Sequence, residues 1–252
     1  METLLGFLIA VLVGLTGVGG GSLTVPILIL GLNIPAAQAV GTALVFVTVT
    51  KLVAGPLYLA RRQVDFKVLK LMLKGGIPGV LAGALLLGSA RSRALEPVVL
   101  TVVGSVIAVM AVISLCKHLR KQNCQVCSNK AHRLPWVTLP IGLETGFSSA
   151  GAGALGSLAL MCLTSLEASH IVGTDLLFGL ALSAVGGGLH AVGGNVDPAL
   201  LAKLCMGAIP GAALGAWLGA WLPSRQLRAA LTVFLALLGG QLFWKGLSVL
   251  VR

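Results

Sequence analysis

Apolar segments long enough to cross a lipid bilayer recur along the whole chain, and this pattern limits the chain to a membrane fold. About 20 consecutive apolar residues span the hydrocarbon core. Charged residues make up 10% of the chain, against about 25% in soluble domains. We therefore expect an all-α polytopic membrane protein, with apolar segments at residues 4–30, 36–60, 68–87, 95–116, 134–163, 171–192, 200–222 and 227–250.

The cationic side chains lie in the connectors between the apolar segments. Because cytoplasmic loops of membrane proteins carry an excess of Lys and Arg, the net charge of +11 indicates cytoplasmic connectors and not a nucleic-acid partner. Residues 1–50 contain no Lys or Arg, which favours an external N-terminus. We expect a multi-pass protein of the cytoplasmic membrane, with two basic connectors inside: Arg61, Arg62, Lys67, Lys70 and Lys74 in one, and Lys117, Arg120, Lys121, Lys130 and Arg133 in the other.

The chain repeats itself at a constant shift of 132 residues. This shift places residues 36–42 on 168–174 and residues 77–79, Ile-Pro-Gly, on 209–211, also Ile-Pro-Gly. A register that stays constant indicates a duplication rather than shared hydrophobicity. The predicted organisation is a first membrane repeat at residues 1–116, a basic cytoplasmic linker at 117–133 and a second membrane repeat at 134–252.

Each repeat begins with an apolar segment that glycine and serine interrupt, at residues 17–21 and 148–153. A glycine inside a helix costs about 1 kcal/mol relative to alanine. The piece at residues 22–30 reaches only about 13 Å as a helix, whereas the apolar core of a bilayer is about 30 Å thick. We therefore expect each repeat to start with a broken or re-entrant helix, followed by three spanning helices.

Two arrangements of the repeats fit this pattern. If each broken helix returns to its own side, a repeat has three full spans and the two repeats are inverted, as in many secondary transporters. If the broken helix crosses the bilayer, each repeat has four spans and the repeats are parallel. Counting Lys and Arg does not separate these arrangements, but the broken helices favour inversion.

The motifs at the first break resemble those of a known family. Residues 17–26, Gly-Val-Gly-Gly-Gly-Ser-Leu-Thr-Val-Pro, are followed by Ala-Val-Gly-Thr-Ala-Leu at residues 39–44. This combination resembles the TauE/SafE family of sulfite exporter permeases, and residues 151–153 and 172–175 of the second repeat fit it too. The resemblance implies a permease for a small anion such as sulfite, an organosulfonate or a related sulfur compound.

The breaks themselves have the chemistry of an anion site. The N-terminus of a helix presents unpaired backbone N–H groups and about half a positive charge, so a glycine-lined tip can bind an oxyanion. The alternative is that the glycines only permit tight packing. The predicted substrate-binding residues are Gly19, Gly20, Gly21, Ser22, Thr42, Lys51, Ser148, Ser149, Gly151, Gly153 and Thr174.

Ionisable side chains inside apolar segments are costly unless they are paired or hydrated. Lys51, Glu144 and Asp175 could attract the anion or couple its movement to a proton, and Lys51 and Asp175 could instead form a structural ion pair. His190 is expected to be a hydrogen-bonded structural residue. Asp65 and Asp197 each precede an apolar run, which predicts helix N-caps. The candidates for coupling are Gln38, Glu144, His170 and Asp175.

Other functions have weaker support in the sequence. An intramembrane serine protease would need a Gly-x-Ser-Gly loop, which residues 146–149, Gly-Phe-Ser-Ser, do not provide. A single pair, Cys124 and Cys127, is weak evidence for a metal site. We expect no catalytic residue, cofactor or metal, and the expected partners are the anion, the bilayer and a coupling proton. The alternative functions are an intramembrane enzyme and a carrier of another small anion such as a carboxylate.

The inverted arrangement predicts opposite exposure of two connectors. Single cysteines in the linker at residues 117–133 should react with a membrane-impermeant maleimide only from the cytoplasmic side. Cysteines at residues 193–197, where the sequence has no Lys or Arg, should react only from the outside. Labelling of both connectors from one side would support parallel repeats instead.

Overall fold

The computed structural model describes residues 2–16, 20–89 and 131–218, together with residues 98, 101–105, 109, 237, 240–241, 243–244 and 247. The regular elements in this part of the chain are all helical. A 3₁₀ turn, Ala131–Arg133, lies directly before Leu134. The α-helices are α1 (Glu2–Thr16), α2 (Gly20–Gly31), α3 (Ala36–Ala60), α4 (Phe66–Ser89), α5 (Leu134–Ser148), α6 (Gly151–Leu163), α7 (Ala168–Val192) and α8 (Pro198–Leu218).

Both halves have two short helices followed by two long helices. Helices α3, α4, α7 and α8 are long and apolar enough to cross a membrane. Helices α1, α2, α5 and α6 have 15, 12, 15 and 13 residues, which corresponds to about 18–23 Å. They are too short to cross the apolar core alone. The third span predicted for each half, at 95–116 and 227–250, falls mainly outside the described residues.

The two central helices run antiparallel. Thr48 of α3 and Ser183 of α7 form a hydrogen bond of 3.0 Å between their hydroxyl oxygens, near the middle of both helices. Towards the start of α3, the main chain of Val45 packs on Gly187, and Gly55, near the end of α3, packs on the start of α7. Helices α3 and α7 occupy equivalent places in the repeated sequence, so equivalent helices run in opposite directions.

The outer helices pack through glycine ridges between the halves. A Cβ atom added at Gly75, Gly79 or Gly83 would overlap a backbone carbonyl of α5, while the three equivalent glycines of α8 have the same relation to α1. Small residues at four-residue spacing let membrane helices approach to backbone contact. The fourth described helix of each half thus packs, in parallel, on the first helix of the other half: Gly75 on Pro135, Gly79 on Leu139, Gly83 on Leu143, Gly207 on Thr3, Gly211 on Phe7 and Gly215 on Val11.

The two aspartates that precede α4 and α8 cap these helices, as predicted. Asp65 Oδ1 accepts hydrogen bonds from the backbone N–H groups of Lys67 and Val68, at 2.9 and 3.1 Å. Asp197 Oδ1 accepts equivalent bonds from Ala199 and Leu200, at 3.0 and 3.1 Å. A side-chain oxygen in this position satisfies donors that the first helical turn leaves unpaired.

Paired threonines hold the connectors of the opposite half. The Asp65 N–H donates to Thr174 Oγ1 at 3.0 Å, and the Asp197 N–H donates to Thr42 Oγ1 at 3.3 Å. Thr42 and Thr174 lie near the starts of the antiparallel helices α3 and α7. The connectors at residues 61–65 and 193–197 therefore lie at opposite ends of the helix bundle.

The antiparallel contact between α3 and α7 predicts an engineered disulfide. In a background in which the five native cysteines are replaced by alanine, Thr48→Cys with Ser183→Cys should cross-link on mild oxidation, because the two hydroxyl oxygens are 3.0 Å apart. The measurement is loss of free thiol, checked by mass spectrometry of the cross-linked peptide. Pairing Thr48→Cys with Ser165→Cys, in the exposed connector before α7, should give no cross-link. Equal yields for both pairs would contradict this register.

Candidate functional site

The second broken helix forms a hairpin. Helix α5 runs parallel to α4, and α4 runs parallel to α7, because Gly76 packs on Phe178 and Gly186 packs on Val80. Helix α6 runs the other way, since Gly156 contacts Asp175 and α6 ends just before α7 begins. The hairpin tip precedes Gly156 by roughly two helical turns, so it lies farther along α7 than Asp175 does. It is therefore level with the middle of α7.

The first broken helix reaches the same depth. A Cβ atom at Gly20 would lie 2.9 Å from Val47 and 3.2 Å from Val13. Val47 is at the middle of α3, and α2 ends close to the start of α3. The break between α1 and α2 is thus level with the centre of the bundle. Gly19, which the sequence predicts to line the site, lies outside the described residues.

The two tips touch each other. A Cβ atom at Gly21 would overlap both the main chain and the hydroxyl oxygen of Ser149. Gly20, Gly21, Ser22, Ser148 and Ser149 are all buried. The breaks of the two halves, which are far apart in the sequence, therefore meet inside the bundle.

Local backbone geometry shapes the second tip. Ser149 has a left-handed conformation, with φ of 64°, and its N–H bonds to the Thr145 carbonyl to end α5. Helix α6 then starts at Gly151, and its N-cap residue, Ala150, makes no side-chain capping bond. Gly153 has φ of 147°, a backbone conformation that residues other than glycine rarely adopt. Both residues fit the prediction of a break, and the first turn of α6 has no side-chain cap.

Three buried side-chain atoms around this hairpin lack a hydrogen-bond partner. Across the described ranges, these atoms are Glu144 Oε2, Ser149 Oγ and Asp175 Oδ1. Their neighbours are engaged: Ser148 donates to Glu144 Oε1, and Ser157 donates to Asp175 Oδ2 at 2.6 Å. Because buried polar groups are nearly always hydrogen-bonded, the unpaired atoms at the tip, one turn before it on α5 and on the adjoining helix α7 are candidate partners for a ligand or a proton.

Lys51 is buried in α3, one turn beyond Val47, with 7% of its surface exposed. It interacts electrostatically with Asp175, but the two described side chains make no ion pair within 4.0 Å. The ion pair that the described residues do form joins Lys203 and Glu2 at 2.8 Å, at the partly exposed contact of α1 with α8. The structural ion pair considered for Lys51 and Asp175 is therefore not formed, and the ammonium group is not paired with this carboxylate.

Several predicted residues lie away from the tips. The hydroxyls of Thr42 and Thr174 bond to the connectors described above. Gln38 and His170 are half-buried near the starts of α3 and α7, and along the helix Gln38 is about 13 Å from Val47. His190 is buried and its Nε2 lies 3.1 Å from the Gly146 carbonyl oxygen, which matches its expected structural role.

Metal and thiol chemistry have no support in the described part of the chain. No group of three or more His, Cys, Asp or Glu side chains there could hold a metal ion. Cys124 and Cys127 lie outside the described residues. The sequence interpretation missed Ser157, because its pairing with Asp175 depends on α6 folding back along α7, and no local motif indicates that contact.

The contact between the tips predicts a graded effect of side-chain size. Gly21→Ala should lower transport severalfold and Gly21→Val should abolish it, because the added atoms overlap Ser149 and separate the tips. Gly188→Ala is the matched control, since nothing lies within 4 Å of its added Cβ, and alanine suits a helix better than glycine. Transport by purified variants should be compared at equal amounts of folded protein. Wild-type transport by folded Gly21→Val would place the site elsewhere.

Comparison with known proteins identifies the family of this chain. The sequence profile of the sulfite exporter TauE/SafE family matches residues 3–242. The probable membrane transporter protein YjnA of Bacillus subtilis (strain 168) is 35% identical over 217 residues, which cover 82% of this chain and 85% of the relative. The probable membrane transporter protein YdhB of the same organism is 26% identical over 240 residues, 92% of this chain and 95% of the relative. No solved structure gives a significant match. This chain therefore belongs to the TauE/SafE sulfite exporter family and is an integral membrane transporter.

Proposed function

We propose that this transporter moves a small sulfur oxyanion, sulfite or an organosulfonate, across the cytoplasmic membrane. The anion binds at the two helix tips, beside the point where they touch. The observation that supports this site best is the contact of Gly21 with Ser149, whose buried hydroxyl has no partner. A hydroxyl between two glycine-lined tips can donate to an oxyanion that has shed its water.

The tips supply a suitable electrostatic environment. The first turn of each returning helix directs backbone N–H groups and a partial positive charge towards the centre of the bundle. Such a site holds an oxyanion without needing a cationic side chain in contact. Lys51, one turn from this level, adds a positive charge at longer range. Weak, dispersed attraction suits a carrier, because binding must also permit release.

The proposed mechanism uses two inverted repeats. The supporting observations are that the equivalent helices α3 and α7 run antiparallel, that α4 packs on α5 as α8 packs on α1, and that Thr42 and Thr174 make reciprocal contacts. In inverted-repeat transporters, one repeat rocks against the other around a fixed central site. The half-helices then return to the side from which they entered, and the repeats open in turn to the two sides.

The substrate assignment is tested by uptake into proteoliposomes. Purified protein should take up radiolabelled sulfite and methanesulfonate, and should take up acetate much more slowly, because the site is proposed to fit a tetrahedral or pyramidal sulfur oxyanion. Ser149→Ala should weaken the apparent affinity by about 10- to 150-fold, since a lost hydrogen bond to a charged group costs about 1.5–3 kcal/mol.

Ser165→Ala, in the exposed connector before α7, is the control and should leave the affinity unchanged. Faster uptake of acetate than of both sulfur compounds would assign the transporter to carboxylates. Equal affinities for Ser149→Ala and the wild type would remove Ser149 from the site.

A further inference from the structure

Glu144 places a carboxylate of the protein itself beside the N-terminus of α6. The Ser148 hydroxyl donates to Glu144 Oε1. The N–H of Ala150, the N-cap of α6, lies 3.3 Å from Ser148 Oγ and also interacts with the Glu144 carboxylate. The second carboxylate oxygen, Oε2, is buried without a partner. A negative charge is favoured at a helix N-terminus, so Glu144 occupies the position that a substrate anion would take at the second tip.

This internal anion is present in one half only. The shift of 132 residues places Glu144 on Leu12 and Ser148 on Thr16. Helix α2, which begins at the first tip, contains no ionisable residue, and Glu144 is the one ionisable residue of α5. The two tips therefore have similar backbones but different charge. Because the fold does not require a carboxylate at the first tip, we look for the reason for Glu144 in function.

The charged groups around α5 do not neutralise Glu144. The described part of the chain has no ion pair to this carboxylate. The lysines of α4 and the groups of the 3₁₀ turn lie at the start of α5, about 15 Å along the helix from Glu144. The titratable groups on packed or neighbouring elements are Lys67, Lys70 and Lys74 of α4, His132 and Arg133 of the turn, His170, Asp175 and His190 of α7, and Lys51 of α3.

A buried carboxylate without a cation is costly when it is ionised. A substrate anion at the neighbouring tip would add a second negative charge and raise that cost further. A proton on Glu144 removes both penalties, and it converts an acceptor into a donor that can face the substrate. Anion binding and proton binding must then strengthen each other equally, because coupling between two sites is reciprocal.

From this arrangement we propose that Glu144 is the proton carrier of the transport cycle, so that the protein moves one proton together with each anion. Without the proton, the carboxylate accepts from the Ser148 hydroxyl and the Ala150 N–H and repels the substrate. With the proton, Glu144 is neutral and the donors turn to the anion. Release of both on the other side returns the carboxylate to the Ser148 and Ala150 donors. This inference rests on the proposed anion transport.

The test measures uptake of methanesulfonate into proteoliposomes from about pH 5 to about pH 8, a range that spans the titration of a perturbed carboxyl group. Methanesulfonate remains a monoanion throughout, so the pH acts on the protein. Since the protonated form is the competent one, wild-type uptake should fall as pH rises, approaching roughly tenfold per pH unit on the alkaline side for a single proton. Glu144→Gln should vary by less than about twofold over the same range.

A pH-sensitive dye inside the vesicles measures the protons that accompany the anion. Wild-type protein should move about one proton per methanesulfonate, as a single shared carboxyl requires, and Glu144→Gln should move none. Because glutamine imitates the neutral acid, the variant should also bind methanesulfonate at the alkaline end of the range as tightly as the wild type binds it at the acid end.

Two matched variants show whether Glu144 or another carboxylate causes the pH dependence of uptake. Glu2→Gln removes a partly exposed carboxylate that pairs with Lys203 and should keep the wild-type pH slope. Asp175→Asn should also keep this slope if Glu144 carries the proton. A slope that persists in Glu144→Gln, or that disappears only in Asp175→Asn, would overturn the proposal.

The wild-type stoichiometry provides an independent test if Glu144→Gln does not fold. Methanesulfonate uptake without proton movement by wild-type protein would overturn the role of Glu144 and leave the proposed anion transport intact. Absence of both binding and uptake for methanesulfonate and sulfite would instead overturn the proposed function, and the role of Glu144 with it.

Discussion

The contact on which the rest of the structure depends is the backbone approach between α4 and α5 and between α1 and α8. Within a bilayer, lipid tails are as apolar as leucine, so helices associate through close van der Waals packing rather than through exclusion of water. Glycine at every fourth position lets the main chain of one half seat against the main chain of the other. These two contacts fix the positions of α1 and α5. Each tip lies at the end of one of these helices, so its position is fixed as well.

The meeting of the tips adds an electrostatic consequence to this packing. A helix that stops at the centre of a bundle leaves its terminal N–H groups without internal partners, in a region where water is scarce. Most buried polar groups find a partner in the protein, yet the hydroxyl of Ser149 and one oxygen each of Glu144 and Asp175 do not. The packing that stabilises the bundle thus leaves unpaired polar atoms on α5, at the second tip and on α7.

Much of the fold could be predicted from the sequence, because its main signals are local or periodic. Apolar length predicted the long helices α3, α4, α7 and α8, the glycine runs predicted the breaks, and Asp65 and Asp197 had the position of N-caps. The partners across the bundle could not be predicted. No local signal in the sequence indicates that the hydroxyls of Thr42 and Thr174 accept hydrogen bonds from opposite connectors. The contacts of Gly21 with Ser149 and of Ser157 with Asp175 depend on the direction in which each hairpin returns, which no short motif encodes.

The reciprocal threonine bonds have a mechanical consequence. Thr174 accepts a hydrogen bond from the connector at one end of the bundle, and Thr42 accepts one from the equivalent connector at the other end. Each connector also packs its main chain on a glycine of the opposite helix, Asn195 on Gly41 and Gln63 on Gly173, and the net contribution of the hydrogen bond itself to stability is about 1 kcal/mol. The two contacts lie at opposite ends of the bundle and share no residue. The bundle is therefore held at both ends by equivalent contacts and along its length by the glycine ridges of α4 and α8.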